Sequence, residues 1–163
     1  MNAGRLVGYR ALGKSLCGLL VALATGGCLD ALEPDVGPPV RELCRNEDSD
    51  PDVEVSFQND IVDGIFSPDG ANCHKCHTPE GETPIGLELG GLDLSDRASL
   101  LLGGTVSRAD IVIPGRPCDS VLWQKVTAGP PFGQRMPASG PPFLSPEQIR
   151  LIRDWIAEGA RAN

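Results

Sequence analysis

The sequence predicts an all-α domain in which about four short helices are joined by long loops. Four segments repeat apolar residues at helical spacing, and no comparable segment alternates as a strand would. The most strand-like run, 111–113, ends at once in Pro114-Gly115, so we expect an extended loop there. Gly and Pro are numerous, at 20 and 15 residues of 163, which suits long wrapping loops.

Capping residues and apolar faces define the four predicted helices, which cover residues 56–66, 96–102, 121–126 and 146–158. Ser56 is the expected N-cap of the first helix, and Ser95 can cap the second. The last helix has the strongest signals, because Ser145 is followed by a Pro in the first turn and by a capping-box Gln. Gly159 stands where this helix is expected to end.

Residues 1–27 are predicted to form a secretory signal peptide rather than part of the fold. Arg5, Arg10 and Lys14 precede a short apolar run, and no acidic residue occurs before Asp30. This layout is typical of export, and the apolar run is too short to be a stable membrane anchor. Its removal leaves enough chain for one domain but not for two.

Cys28 follows Ala-Thr-Gly-Gly, a sequence that resembles a bacterial lipobox. Thr25 stands where an apolar residue is usual, so ordinary cleavage nearby is the alternative to lipidation. A lipidated Cys28 would carry enough acyl chain for stable anchoring. We therefore expect a protein exported to the periplasm or cell envelope and held on a membrane by a lipid anchor.

Residues 28–52 are predicted to be an acidic, Pro-rich tether, and residues 53–163 to form the domain. The tether has few large apolar residues and cannot fold alone, although Cys44 offers a point of attachment to the domain. Removing the three basic residues of the signal takes the formal net charge from −8 to −11. Such acidity argues against nucleic-acid binding and favours partners with a basic docking face, although it also simply keeps an exported protein soluble.

Cys73-His74-Lys75-Cys76-His77 is the attachment signature of c-type haem. Two thiols three positions apart on one helical turn can reach the two vinyl groups of a porphyrin and form thioethers. His77 would then ligate the iron from one face of the ring. We expect a backbone carbonyl near Pro79 or Pro84 to orient the His77 imidazole. Because bacteria install this cofactor outside the cytoplasm, the motif agrees with the predicted export.

Met136 is the predicted ligand on the opposite face of the haem. The chain has two histidines, and His74 lies between the two cysteines, where it cannot reach the far face; we expect it to face solvent. Met1 leaves with the signal peptide, so Met136 is the remaining methionine. It lies in a polar, Pro-rich loop, whereas a methionine that fills a core is more often on an apolar helix face.

If Cys28 is lipidated, Cys44 and Cys118 are the remaining cysteines of the mature chain, and in an exported protein they are expected to form a disulfide. A zinc site built from these cysteines and the Cys73–His77 motif is the weaker alternative, because it ignores the haem signature. A thioredoxin-like redox motif is also weaker, since no βαβ pattern surrounds the two motif cysteines.

The order of these features resembles the class I cytochrome c fold: a first helix, the haem motif, loops, a Met ligand and a terminal helix packed crosswise on the first. A narrower set resembles the planctomycete-type cytochrome c domain over roughly residues 55–160, and its matching segments are 91–95, 114–117, 120–123, 135–137 and 152–160. The resemblance implies a monohaem electron-transfer protein. Cys118 departs from the pattern and agrees with a disulfide to Cys44.

The expected function is therefore single-electron transfer through one covalent haem c with His77 and Met136 as iron ligands, in exchange with redox partners that the sequence does not identify. No catalytic constellation accompanies the motif, so we expect no enzymatic activity. A haem-based sensor with a displaceable Met136 is the alternative.

Overall fold

A computed structural model describes residues 44–163 of the chain. The predicted signal peptide 1–27, the lipidation site Cys28 and the first part of the predicted tether lie outside these residues. All regular elements in the described part are helical, which confirms the prediction of an all-α fold. They are α1 (Phe57–Phe66, a helix of the π type), α2 (His74–His77), α3 (Ile85–Gly90), α4 (Arg97–Leu102), α5 (Val121–Val126), α6 (Pro146–Ala157) and two 3₁₀ turns (Arg108–Ile111 and Pro117–Asp119).

The four predicted helices correspond to α1, α4, α5 and α6. The sequence did not predict α3, whose apolar side chains Ile85 and Leu89 are exposed and so give no one-sided core pattern. The predicted extended loop begins one residue later than expected: Ile111 closes a 3₁₀ turn, and Val112 is extended. Within residues 44–163 no helix is long and apolar enough to cross a membrane.

The core is centred on the contact between α1 and α6. Trp155 is fully buried, and its ring stacks on Phe57 with the centroids 5.1 Å apart. The Trp155 indole N–H donates to the carbonyl of Arg161 at 3.0 Å. Both helices begin at side-chain caps, since the Ser56 hydroxyl accepts from Asn59 N–H and Ser145 forms a capping box with Gln148. The two helices are therefore fixed at their starts as well as at their contact.

The segment after α6 returns to the start of α1. The Asn163 side-chain oxygen accepts from Phe57 N–H at 2.9 Å, and its carbonyl accepts from Gln58 N–H at 3.1 Å. The Glu158 carboxylate accepts from Val55 N–H at 3.0 Å. The two bonds from Asn163 satisfy N–H groups in the first turn of α1 that no helical carbonyl can reach, and the Glu158 bond holds the residue before the N-cap.

Residues 44–52, the described part of the predicted tether, are bound to the domain. Cys44 and Cys118 form a disulfide, and Asn46 accepts from Cys118 N–H at 3.1 Å. Ser49 donates to the buried carboxylate of Asp154, which also pairs with Arg153 at 2.7 Å. Burial alone would raise the pKa of Asp154, but the Ser49 and Arg153 hydrogen bonds outweigh burial and hold the pKa below its usual range. This contact therefore stabilises the fold at neutral pH and weakens as the pH falls through the lowered pKa.

Trp155→Ala is expected to lower the free energy of unfolding by about 3–5 kcal/mol, because it removes the largest fully buried side chain and leaves a cavity. Urea denaturation followed by circular dichroism measures the loss. Leu102→Ala is the control, since Leu102 is 78% exposed and its removal should leave stability nearly unchanged. Equal effects of the two substitutions would contradict the assigned core.

Replacing Cys44 or Cys118 by Ser is expected to lower the free energy of unfolding by about 2–4 kcal/mol, because the disulfide closes a long loop in the unfolded chain. The sequence separation of the two cysteines is 74 residues. The double variant should lose no more than either single one, since all three lack the same bond. Additive losses, measured by urea denaturation of the oxidised proteins, would show that the two cysteines act separately.

Candidate functional site

The Cys73–His77 motif forms the single turn of α2. Cys73 is the N-cap, and its carbonyl accepts from the N–H groups of Cys76 at 3.1 Å and His77 at 3.0 Å. The turn places both thiols and the imidazole on one short, hydrogen-bonded segment. Cys73 and Cys76 are free and half-buried. The two free thiols therefore stand three positions apart on a single helical turn.

The two thiols have different surroundings. Cys73 packs against the hydrophobic core, and burial raises its thiol pKa to about 11. Cys76 lies nearer the surface, and its sulfur is 3.7 Å from the hydroxyl of Thr83. Cys73 is therefore a protonated thiol at neutral pH.

His77 is held with one ring nitrogen available. Its Nδ1 lies 3.1 Å from the carbonyl of Leu92, so Nδ1 carries the proton and Nε2 keeps its lone pair. Burial lowers the His77 pKa, the Leu92 hydrogen bond opposes this effect, and the positive charge of Lys125 lowers the pKa further. A neutral imidazole is the form that binds a metal. The prediction that a carbonyl near Pro79 or Pro84 orients the His77 ring was wrong, because the carbonyl of Leu92 does so.

His74 is also bound to the protein, so the expectation that it faces solvent was wrong. Its Nε2 lies 3.1 Å from the carbonyl of Leu94, and its ring meets the edge of Phe66 at 6.0 Å between centroids. The N–H of Leu94 donates to the carbonyl of His77 at 2.8 Å. Segment 92–94 therefore binds both histidines of the motif through its backbone.

Gly86 of α3 lies directly against the His77 ring. A Cβ atom at this position would be 2.6 Å from both Cε1 and Nε2 of the imidazole, closer than real contacts allow. A residue with a side chain would thus displace the ring or the helix. The unpredicted helix α3 therefore packs its backbone on the candidate iron ligand, and glycine permits this approach.

Met136 lies in the loop between α5 and α6, half-buried and packed against the hydrophobic core. Its N–H donates to the carbonyl of Lys125 at 2.7 Å. The preceding residue, Arg135, donates through its side-chain Nε to the carbonyl of Val126 at 2.9 Å. These two bonds join Arg135 and Met136 to the end of α5. The positive charge of Lys125, at the same end of α5, also lowers the pKa of His77.

The available donor atoms fit a haem better than a zinc ion. Two free thiols, a neutral imidazole and a thioether are present, and a thioether suits haem iron rather than a zinc site. The zinc alternative needs Cys44 and Cys118, which are bonded to each other. In the part of the chain that the structure describes, no group of three or more His, Cys, Asp or Glu side chains is arranged around a metal position.

Trp123 of α5 adds a polar atom without a partner. Its ring is buried, and among residues 44–163 no acceptor lies within hydrogen-bond distance of its indole N–H. A buried donor without an acceptor is uncommon in folded proteins. The carboxylates of a haem are acceptors of the kind that it lacks.

Residues 73–140 match the family model described as Planctomycete cytochrome C. The matched segment begins at the first motif cysteine and includes Met136, and it supports a cytochrome c-type domain in this chain. No curated protein and no solved structure shows significant similarity to the chain.

Proposed function

We propose that this chain is an electron-transfer protein that carries one covalent haem c, with His77 and Met136 as the axial iron ligands. The proposal starts from the cytochrome c family match over residues 73–140. The observation that carries it is the α2 turn, which holds two free thiols beside a neutral imidazole whose Nδ1 is bound to Leu92. This set of groups has a clear use in attaching and ligating a haem.

Four residues would hold the cofactor. Cys73 and Cys76 would bind it through thioethers, His77 would ligate through Nε2 and Met136 through its sulfur. A bound haem would supply the redox chemistry, the exchange of one electron between Fe(III) and Fe(II). The chain orients His77 through the Leu92 carbonyl and presents a thioether, a ligand that raises the reduction potential. With both axial positions taken, the iron would be closed to substrates, which favours a carrier over an enzyme.

The proposed location is the periplasm or cell envelope, with a lipid anchor at Cys28 and a domain that meets redox partners through their basic faces. The disulfide between Cys44 and Cys118 agrees with an oxidising compartment. The formal net charge of −8 for the whole chain agrees with basic partners.

Expression of the full chain in a bacterium that attaches c-type haem tests this function. We expect a coloured protein that keeps haem on a denaturing gel, with one haem per chain by pyridine haemochrome spectra. Both oxidation states should be low-spin, and the reduced protein should not bind carbon monoxide. A colourless protein would overturn the proposal. Ready binding of carbon monoxide would favour a haem-based sensor instead.

A further inference from the structure

The loop that carries Met136 has little structure of its own. Between residues 128 and 144 of the described chain, the backbone makes one internal hydrogen bond, from Gly140 N–H to the Pro137 carbonyl. The segment contains three glycines and five prolines. Prolines have no N–H to donate, and glycines do not restrict the backbone. The position of Met136 must therefore depend on contacts with the rest of the domain.

Lys125, in the last turn of α5, supplies three of these contacts. Its carbonyl accepts from Met136 N–H at 2.7 Å. Its ammonium group donates to the carbonyls of Phe132 at 2.8 Å and Gln134 at 2.5 Å. The same nitrogen lies 4.9 Å from the centre of the Phe132 ring. Lys125 thus bonds to three of the five residues from 132 to 136.

These contacts differ from those of an ordinary surface lysine at a helix end. Such a lysine interacts with the last carbonyls of its own helix, whereas both acceptors of Lys125 belong to the Met136 loop. The side chain is half-buried, and burial lowers its pKa below the ordinary value. Hydrogen bonds from a charged donor are roughly twice as strong as neutral ones. The charged ammonium group of Lys125 therefore donates its hydrogen bonds to carbonyls of the Met136 loop.

We infer that Lys125 is a positioning residue that holds Met136 in place as the iron ligand, acting through the carbonyls of Phe132 and Gln134. The inference rests on the proposed function, because it concerns the ligand on the distal side of the haem. Without the two side-chain bonds, Met136 detaches from the iron in a larger fraction of molecules. An external ligand then binds more tightly, since its apparent affinity scales with the fraction in which the iron is free.

Competition by imidazole in the oxidised haem protein tests the inference. We expect Lys125→Met to lower the apparent dissociation constant of imidazole about tenfold, which corresponds to the loss of part of one charged hydrogen bond. Lys125→Arg keeps a charged donor and should restore most of the wild-type value. Arg116→Met is the matched control, because it removes a surface cation whose one ion-pair partner among residues 44–163 is Asp119, and it should change the constant less than about twofold.

The dissociation constant of imidazole is measured well below the unfolding temperature of each variant. Under that condition a change in the constant reports the position of Met136 and not partial unfolding. A Lys125→Met protein that binds imidazole like the wild type would overturn the inference alone, as would a Lys125→Arg protein no better than Lys125→Met. If Lys125→Met does not fold, Lys125→Leu replaces it with a shorter side chain that has no donor, and a wild-type constant in that variant would equally overturn the inference. A wild-type protein without haem, or without a methionine–iron absorption band, would overturn the proposed function and this inference with it.

Discussion

Replacing both Cys73 and Cys76 by Ala is expected to give a protein that carries no covalent haem. Thioether bonds are the link that survives denaturation, and the described chain contains just these two free thiols to form them. Haem staining of a denaturing gel should be lost, and the pyridine haemochrome of the purified protein should fall to background. Redox activity should disappear with it. Each single variant should keep a haem through its one remaining thioether, with an altered haemochrome band.

The disulfide offers a matched control for this experiment. A Cys44→Ser, Cys118→Ser protein also loses two cysteines, but these are bonded to each other and lie outside α2. We expect it to keep full haem staining despite its lower stability. Haem that survives in the Cys73, Cys76 double variant would contradict the assigned attachment site, and so would haem that is lost from the disulfide variant at temperatures where it is folded.

Met136→Ala is expected to remove the methionine–iron charge-transfer band and to lower the reduction potential by about 0.1 V or more, within the range of about 0.8 V that axial ligands set. The thioether favours Fe(II), so its loss favours Fe(III). The vacated position should then bind carbon monoxide in the reduced protein. Optical redox titration measures the potential, and spectra under carbon monoxide report the open site.

Met136→His is the control that separates ligand loss from unfolding. Histidine can occupy the same position, so this variant should stay low-spin and closed to carbon monoxide, while its potential falls because nitrogen replaces sulfur. Unfolding would instead open the site in both variants. If Met136→Ala keeps the charge-transfer band, another residue is the ligand, and the proposed coordination is wrong.

The sequence predicted those parts of the fold that local rules determine. Caps such as Ser145 act within a few residues, and a one-sided apolar face predicts burial, as at Trp155. Helix α3 escaped prediction because its apolar residues Ile85 and Leu89 point outward. Its contact with His77 depends on Gly86, a residue that gives no pattern by which to find it.

The surroundings of the two histidines were predicted least well, for a physical reason. Their partners are backbone carbonyls of Leu92 and Leu94, and every residue has a carbonyl. The partner therefore depends on the path of the chain, 15 and 20 residues further on, rather than on any side chain. Family resemblance did single out segment 91–95, but without a role. The role of Lys125 was missed similarly, because its acceptors are also carbonyls.

The disulfide has a consequence for how the protein matures. If the protein carries the proposed haem in an oxidising compartment, the four cysteines of residues 44–163 could pair in three ways, and Cys73 and Cys76 would have to stay reduced until haem is attached. In the folded chain Cys44 and Cys118 are already joined in a disulfide. Burial raises the pKa of the Cys73 thiol to about 11, so this thiol stays protonated at pH 7. Cys73 is thus a slow partner for thiol–disulfide exchange, whereas Cys44 and Cys118 are bonded to each other.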